Sequence, residues 1–167
     1  ITQVPRTKSE SNTDIDEKIT LVGEKGTQNI LDAISKNCKI IFPSTHVVYE
    51  GIDKVKNDIK EDEETKPVLS YSSSKAINEK QLKDSGKNYV ILRLGSVYGY
   101  SSTDTMRINI MPNLFSKIAS QNGTINLFSG GKQIKSLVPL IDVARCMKFM
   151  AENSKINKET FNLTKES

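Results

Sequence analysis

Apolar residues recur along the chain in two rhythms, one helical and one strand-like, and the two alternate. Ile15, Ile19, Val22, Gly26 and Ile30 fall three or four apart, with Leu31 and Ile34 widening the stripe, which predicts an amphipathic helix over about 14–35. Cys38-Lys39-Ile40-Ile41-Phe42-Pro43 is a short apolar run of the kind buried in parallel sheets. Residues 50–66, with Glu61-Asp62-Glu63-Glu64, are dense in charge and predict a solvated loop, in which Lys66 is extended because Pro67 follows it. A helix is expected from Tyr71 to about Ser85, stopped by Ser85-Gly86, and a second buried strand over Tyr89-Val90-Ile91-Leu92-Arg93-Leu94.

Beyond Gly99 a polar loop runs from Tyr100 to Thr105, followed by an expected helix over 107–121. Ile125-Asn126-Leu127-Phe128 predicts a short strand closed by a Ser129-Gly130-Gly131 turn, and Leu137-Val138-Pro139 a short extended piece. Leu140, Val143, Ala144, Met147 and Met150 form another helical stripe, with Asp142 in its first turn where the helix dipole favours an anion. Thr160-Phe161-Asn162-Leu163 is expected as a last strand. Helices and strands alternating across short links predict an α/β domain with a parallel sheet.

Composition narrows the function classes. With 167 residues the chain fits one domain or a large part of a bigger one. A net charge of +4 arises from Lys and Arg interleaved with Asp and Glu, without a basic block or a Trp, so a solvated Lys-rich surface is expected rather than a nucleic-acid-binding one. Cys38 and Cys146 lie in unrelated contexts, and His46 is the single histidine, so neither a disulfide framework nor a multi-histidine metal centre is expected. No run approaches the roughly 18 apolar residues of a spanning helix, and no charged segment precedes an apolar one, so the expectation is a cytoplasmic protein without a membrane partner. The chain opens on Ile1-Thr2-Gln3-Val4-Pro5 without a Met, which suggests further sequence upstream.

The candidate chemistry lies at two places 26 positions apart: Thr45, at the end of the first strand, and Tyr71 with Lys75, at the start of a helix. Tyr71 and Lys75 are four apart and share a helix face. A free tyrosine, with a pKa near about 10, is a poor base at neutral pH. An adjacent ammonium favours the phenolate, and lowering the pKa by about 3 units takes about 4 kcal/mol of differential stabilisation. By itself such a pair is as readily a neighbour pair on a helix surface. Ser72 and Lys75 also spell Ser-x-x-Lys, but the Ser-Asp-Asn and Lys-Thr-Gly partners of acylating enzymes are missing, and no Gly-x-Ser-x-Gly elbow accompanies His46.

Context favours the chemical reading. Gly26-Thr27-Gln28-Asn29-Ile30-Leu31-Asp32-Ala33 resembles the Gly-Thr-x-Asn-Leu-Leu-x-Ala helix of the extended short-chain dehydrogenases, the nucleotide-sugar epimerase/dehydratase family. Phe42-Pro43-Ser44-Thr45-His46-Val47-Val48-Tyr49 resembles that family's strand ending in Ser-Ser/Thr-x-x-Val-Tyr-Gly. Tyr71-Ser72-Ser73-Ser74-Lys75 with Glu79 resembles its Tyr-x-x-Ser-Lys-x-x-x-Glu helix, and Leu92-Arg93-Leu94-Gly95-Ser96-Val97-Tyr98-Gly99 its Leu-Arg-x-x-Asn-Val-Tyr-Gly strand and loop. Phe128 to Lys135, followed by Val138 to Ala144, is similar to its Gly-x-Gly-x-Gln-x-Arg-x-x-x-x-Val-x-Asp-Val-Ala stretch, and Phe161-Asn162-Leu163 to the strand that follows. The pieces run from about 22 to 163 in family order and spacing.

The resemblance implies a partial Rossmann-like doubly wound parallel sheet, lacking the N-terminal nucleotide-binding βαβ, with part of a small C-terminal substrate lobe. Residues 1–100 are expected to be the C-terminal half of the NAD-binding domain, and 101–167 a partial substrate lobe interleaved with the last Rossmann elements. It implies Tyr71 as acid/base, Lys75 as the residue that tunes it and holds the nicotinamide ribose, and Thr45 as the hydroxyl that bonds the substrate oxygen. Pro43 and Gly95 fall on the cofactor side; His46, Ser96 and Lys135 fall on the substrate side. The implied cofactor is NAD, with NADP left open, and the implied partners are a nucleotide sugar and a second copy, paired through the helices around 14–35 and 71–85.

Departures from the pattern qualify the substrate side. Gly23 and Ser96 stand where the family has Asn, Tyr100 where Pro is common, Lys135 where Arg is usual, and Glu50 is inserted between Tyr49 and Gly51. Lys binds phosphate as a point charge, without a bidentate fork. His46 and Val47 stand where family dehydratases carry an acidic pair, which counts against dehydration and leaves epimerisation and reduction both open. None of the nine glycines recreates the Gly-x-x-Gly-x-x-Gly turn that seats a pyrophosphate, so this stretch by itself is not expected to hold NAD well. The competing expectation is a catalytically inactive NAD(P)-binding or regulatory protein of the same fold.

Overall fold

The computed structural model describes residues 13–53, 56–100, 107–132 and 134–165. The chain start at 1–5, the loop at 101–105, Gln133 and the side chain of Ile15 lie outside the described residues.

Three parallel strands form the main sheet: β1 (Lys39–Thr45), β2 (Asn88–Leu94) and β5 (Glu159–Leu163), in the order β1-β2-β5. The register pairs Phe42 with Ile91, Thr45 with Leu94 and Leu92 with Phe161. β2 is central and almost wholly buried, as its unbroken Tyr-Val-Ile-Leu run requires. Alternation along β2 divides the core. Tyr89 and Ile91 pack with Leu31 and Leu82 from the preceding helices, whereas Val90 and Leu92 pack with Met150 of the later helix α5 (Leu140–Glu152). Helices thus cover both faces, and truncating Ile91 to Ala would cost about 2–5 kcal/mol. Lys39 seals one end of α5 by donating to the carbonyls of Met150 (2.6 Å) and Asn153 (2.8 Å).

The first predicted helix exists but is interrupted. α1 (Thr13–Thr20) and α2 (Gly26–Ala33) are joined by a π-helical turn, Leu21–Lys25. The interruption changes which residues face the core. Ile19 (5% exposed) and Leu31 (2%) are buried, while Val22 (57%) and Ile30 (58%) of the predicted stripe are exposed. Ile19 and Leu31 are about 120° out of phase on an unbroken helix, and the extra residue of a π-bulge brings them within roughly 20°. Two carbonyls of this turn are bonded by α3 (Ser70–Asp84): Asn78 Nδ2 donates to Gly23 O (3.0 Å) and Gln81 Nε2 to Glu24 O (3.1 Å). A Cβ on Gly23 would stand 2.4 Å from Ser74 Oγ, so the family's Asn at this position would require the Ser74 hydroxyl to turn away.

The other elements sit near their predicted places with three differences. Ser96–Tyr98, expected to lead into a loop, is strand β3 and pairs in parallel with β4 (Leu137–Pro139). The helix expected over 107–121 is shorter: α4 spans Met111–Ser120, with Pro112 in its first turn and Asn113 Nδ2 holding Arg107 O at 3.1 Å. Residues 125–127 are not a strand; no described strand pairs with them, and Leu127 is exposed before the 3-10 turn Phe128–Gly131.

Candidate active site

The end of β1 brings two adjacent hydroxyls, those of Ser44 and Thr45, to one cleft. Ser44 Oγ donates to Glu79 Oε1 at 2.6 Å in the interior. Thr45, next along the strand, caps the 3-10 turn His46–Tyr49, its Oγ1 accepting from Val47 N–H at 3.3 Å. That bond occupies a lone pair and leaves the Thr45 proton free to donate. Leu94 O lies 2.9 Å from His46 Nδ1. A carbonyl only accepts, so Nδ1 carries the proton and Nε2 is left as an acceptor. Burial lowers the His46 pKa, and the Lys135 charge adds to the effect, against the bond to Leu94 and the Glu50 charge.

α3 brings Tyr71 to the same cleft. Burial pushes the Tyr71 phenol up, opposed by the Arg107 cation. Lys75 lies elsewhere: it is not among the residues lining the cleft but pairs with Pro43, donating Nζ–H to Pro43 O at 3.1 Å above the Phe42 ring. Burial lowers the Lys75 pKa, and the nearby Glu79 carboxylate raises it. In this arrangement desolvation, rather than the lysine charge, dominates the phenol.

Behind these groups lies a buried ion pair that sequence spacing did not reveal. Arg93 donates Nε to both Glu79 oxygens (3.0 and 3.2 Å) and Nη2 to Oε2 (2.7 Å), with both side chains under 5% exposed. Arg93 Nη1 reaches Tyr49 Oη and Glu61 O (3.0 Å). Burial works against the Arg93 cation, but the Glu79 and Tyr49 contacts outweigh it and hold it protonated. Asn162 of β5 joins through Tyr49 Oη (3.3 Å) and Ile59 O (2.8 Å), and its N–H donates to Glu61 Oε1 (2.8 Å). Part of the acidic loop is therefore structural. Tyr49, Glu79, Arg93 and Asn162 each belong to a separate motif, and the fold joins the motifs here.

The cleft, of about 550 Å³, opens at the carboxyl ends of β1 and β2. Around it stand Thr45, His46, Tyr71, Gly95, Ser96 and Lys135, six of the eight expected site residues; Pro43 and Lys75 form the separate pair. Ser96 N–H is committed to Ser136 O (2.8 Å), leaving its side chain for the cleft. At Gly95 the close approach is to the chain's own backbone, since a Cβ would stand 3.0 Å from Ser136 O. Arg107, Asn109 and Glu50 also line the cleft and were not anticipated. An isolated arginine after a polar loop carries no motif; its position alone gives it a role. Among the described residues no group of three His, Cys, Asp or Glu could hold a metal, and no helix is long and apolar enough to cross a membrane.

The cleft lies at the carboxyl ends of the parallel strands, where open α/β sheets of the Rossmann-like class place their ligand sites. The chain belongs to the NAD dependent epimerase/dehydratase family, whose pattern it matches over residues 5–164. The UDP-glucuronic acid 4-epimerase of Bacillus cereus, solved with UDP-glucuronic acid and NAD, superposes with a TM-score of 0.81 at 22% identity over 98% of this chain and 52% of that one. The UDP-glucose 4-epimerase of Thermotoga maritima, solved with UDP-glucose, gives 0.79 at 19% identity over 97% and 53%. The UDP-N-acetylglucosamine 4-epimerase of Methanobrevibacter ruminantium M1 gives 0.73 at 21% over 87% and 47%. The chain thus spans about half the length of these structures. No curated protein sequence matches it.

Proposed function

We propose that the chain is the catalytic part of an NAD-dependent enzyme that oxidises and re-reduces a hydroxyl-bearing carbon of a nucleotide sugar, as a 4-epimerase does. The observation that carries the reading is the convergence of Thr45 and Tyr71, with His46, Ser96 and Lys135, on one cleft in a chain of this family. The superposed 4-epimerases, solved with UDP-sugars and in one case NAD, support the substrate and cofactor classes.

The donor set fits the nicotinamide-ribose end of the cofactor. Lys75 spends one N–H on Pro43 O and keeps two for ribose hydroxyls. Pro43 and Gly95 take the cofactor side from their places in the family pattern. NAD, when bound, supplies hydride acceptance and return. Thr45 donates its free O–H to the reacting substrate oxygen, and Tyr71 Oη takes that oxygen's proton and later gives it back. Burial favours the neutral phenol, so Tyr71 works as a base only when cations offset it; Arg107 is one, and the Lys75 ammonium is assigned as another. His46 Nε2 accepts from a sugar hydroxyl, Ser96 offers a second polar contact, and Lys135 faces the diphosphate.

The test is product analysis with NAD and UDP-sugars in the protein that carries this chain. Tyr71→Phe is expected to lower kcat by about 10²–10⁴-fold while circular dichroism and NAD binding stay unchanged. Wild-type protein that binds NAD but turns over no nucleotide sugar would make it an inactive binding protein.

The homodimer assignment is supported by Leu21, Val22, Ile30 and Ile77, exposed on the helices around 14–35 and 71–85. Val22→Glu with Ile30→Glu is expected to convert a dimer to a monomer in sedimentation, and an unchanged mass would refute it.

A further inference from the structure

Glu50 has no counterpart in the family pattern and no part in the mechanism above, yet it is tied to the helix that carries Tyr71. Its Oε1 accepts from Val68 N–H (2.8 Å), from Leu69 N–H (2.8 Å) and from the Ser72 hydroxyl. Leu69 is the N-cap that precedes α3, and a leucine side chain offers no acceptor to the unpaired N–H groups of a first helical turn. Ser72 Oγ assists by accepting from Leu69 N–H at 3.1 Å. The remaining cap comes from a residue 19 positions earlier in the chain.

The backbone explains why the cap comes from Glu50. Residues 48–51 run beside 66–69: Lys66 N–H donates to Val48 O (2.8 Å) and Gly51 N–H to Lys66 O (2.8 Å). Gly51 is fixed in this contact, because a Cβ would stand 2.6 Å from Lys66 O. Pro67 has no N–H to continue the pairing, and beyond it the Glu50 carboxylate takes over as acceptor for Val68 and Leu69. Thr45 opens the 3-10 turn that leads into Glu50, and Tyr71 is the second residue of α3. One side chain therefore joins the segment bearing the hydroxyl to the segment bearing the phenol. Its negative charge also suits the positive end of the helix dipole.

We infer that Glu50 is a positioning residue: it clamps the start of α3 to the segment after Thr45 and so fixes the Tyr71 phenol in the cleft. Its effect on turnover rests on the function proposed above; the clamp itself does not. The chemistry predicts a sharp order among substitutions. Gln keeps an oxygen at the same reach, Asp withdraws it by about 1.5 Å, the length of one C–C bond, and Ala removes it.

The experiment compares Glu50→Ala, Glu50→Gln and Glu50→Asp in the protein that carries this chain. Amide exchange at Val68 and Leu69 is measured together with the NMR signal of 13C-labelled Tyr71 and with kcat and KM for a UDP-sugar. In Glu50→Ala, exchange at Val68 and Leu69 is expected to rise roughly five- to thirtyfold, the factor that a lost helix cap carries, while that of Val90 and Ile91 stays the same. The Tyr71 signal shifts, and kcat falls roughly 10–100-fold with KM little changed, as for a misplaced reacting group. Glu50→Gln restores all three readouts; Glu50→Asp restores none. Unchanged exchange at Val68 and Leu69 in Glu50→Ala overturns the clamp. Faster exchange with an unmoved Tyr71 signal overturns the positioning role, leaving a purely structural cap. If wild-type protein turns over no nucleotide sugar, the proposed function fails, and exchange and the Tyr71 signal still decide the inference.

Discussion

The wall of the cleft that carries Thr45 and Tyr71 is backed by the buried Arg93–Glu79 pair, with Ser44, Tyr49 and Asn162 bonded to it or through it. The other wall, with Ser96 and Lys135, rests on the two-stranded β3–β4 ribbon, with Ser96 opening β3 and Lys135 two residues before β4. Proton transfer requires reacting atoms held within a fraction of an ångström, and a hydrogen-bonded interior holds them. Recognition of a variable substrate tolerates a wall of exposed side chains on loops, which changes at little cost to the fold. The departures from the family pattern spare the buried network, where Tyr49, Glu79, Arg93 and Asn162 keep to it; Ser96 and Lys135 depart on the open wall, and Gly23 and Glu50 depart beside α3.

The largest way to break the contrast is to cut the buried pair. Arg93→Met leaves the Glu79 carboxylate buried without its partner, and should destabilise the fold by roughly 3–5 kcal/mol in urea unfolding. Replacing Glu79 by Met as well should recover a large part of that loss, because the stranded charge goes with it. Lys135→Ala on the other wall should change stability by no more than about 0.5 kcal/mol. Equal losses on both walls would remove the distinction.

Lys135→Ala sharpens the contrast from the other side. If Lys135 meets a diphosphate through charge-assisted bonds, its loss should raise KM for a UDP-sugar about tenfold with kcat within about twofold. A fall in kcat without a change in KM would move Lys135 into the chemistry and blur the two walls.

The sequence was most legible where one local rule governed the outcome. β2 is readable because an unbroken apolar run suits a strand buried on both faces, and the placement of Thr45 and Tyr71 on one cleft because their segments lie in motif order. The π-turn at Leu21–Lys25 was not legible, since the apolar stripe around it fits an ordinary helix and packing on α3 chooses otherwise. Nor was the Arg93–Glu79 pair: 14 positions separate the two, and only the arrangement of β2 against α3 joins them. Residues 125–127 misled for the converse reason, because a strand needs a neighbour and none is beside them among the described residues. Arg107 and Glu50 belong to no motif, and their parts follow from where the backbone delivers them.

The smallest expected effect lies where the two walls meet, at His46. Its pKa is lowered by burial first and by Lys135 second, against Leu94 O and Glu50. A group whose folded pKa lies below its unfolded value of 6.5 contributes stability that is complete above 6.5 and is lost as pH falls through the folded value, because the unfolded chain takes up a proton that the native ring refuses. The urea midpoint should therefore decline as pH falls below 6.5, and His46→Asn should remove that part of the decline. His46 is the only histidine of this chain, and the imidazole NMR signal that His46→Asn removes reports its titration. In Lys135→Ala the signal should titrate at higher pH than in wild type, and the decline in stability should become shallower. If the His46 titration is unchanged in Lys135→Ala, the lysine charge does not reach across the cleft, and the open wall touches the buried one through substrate alone.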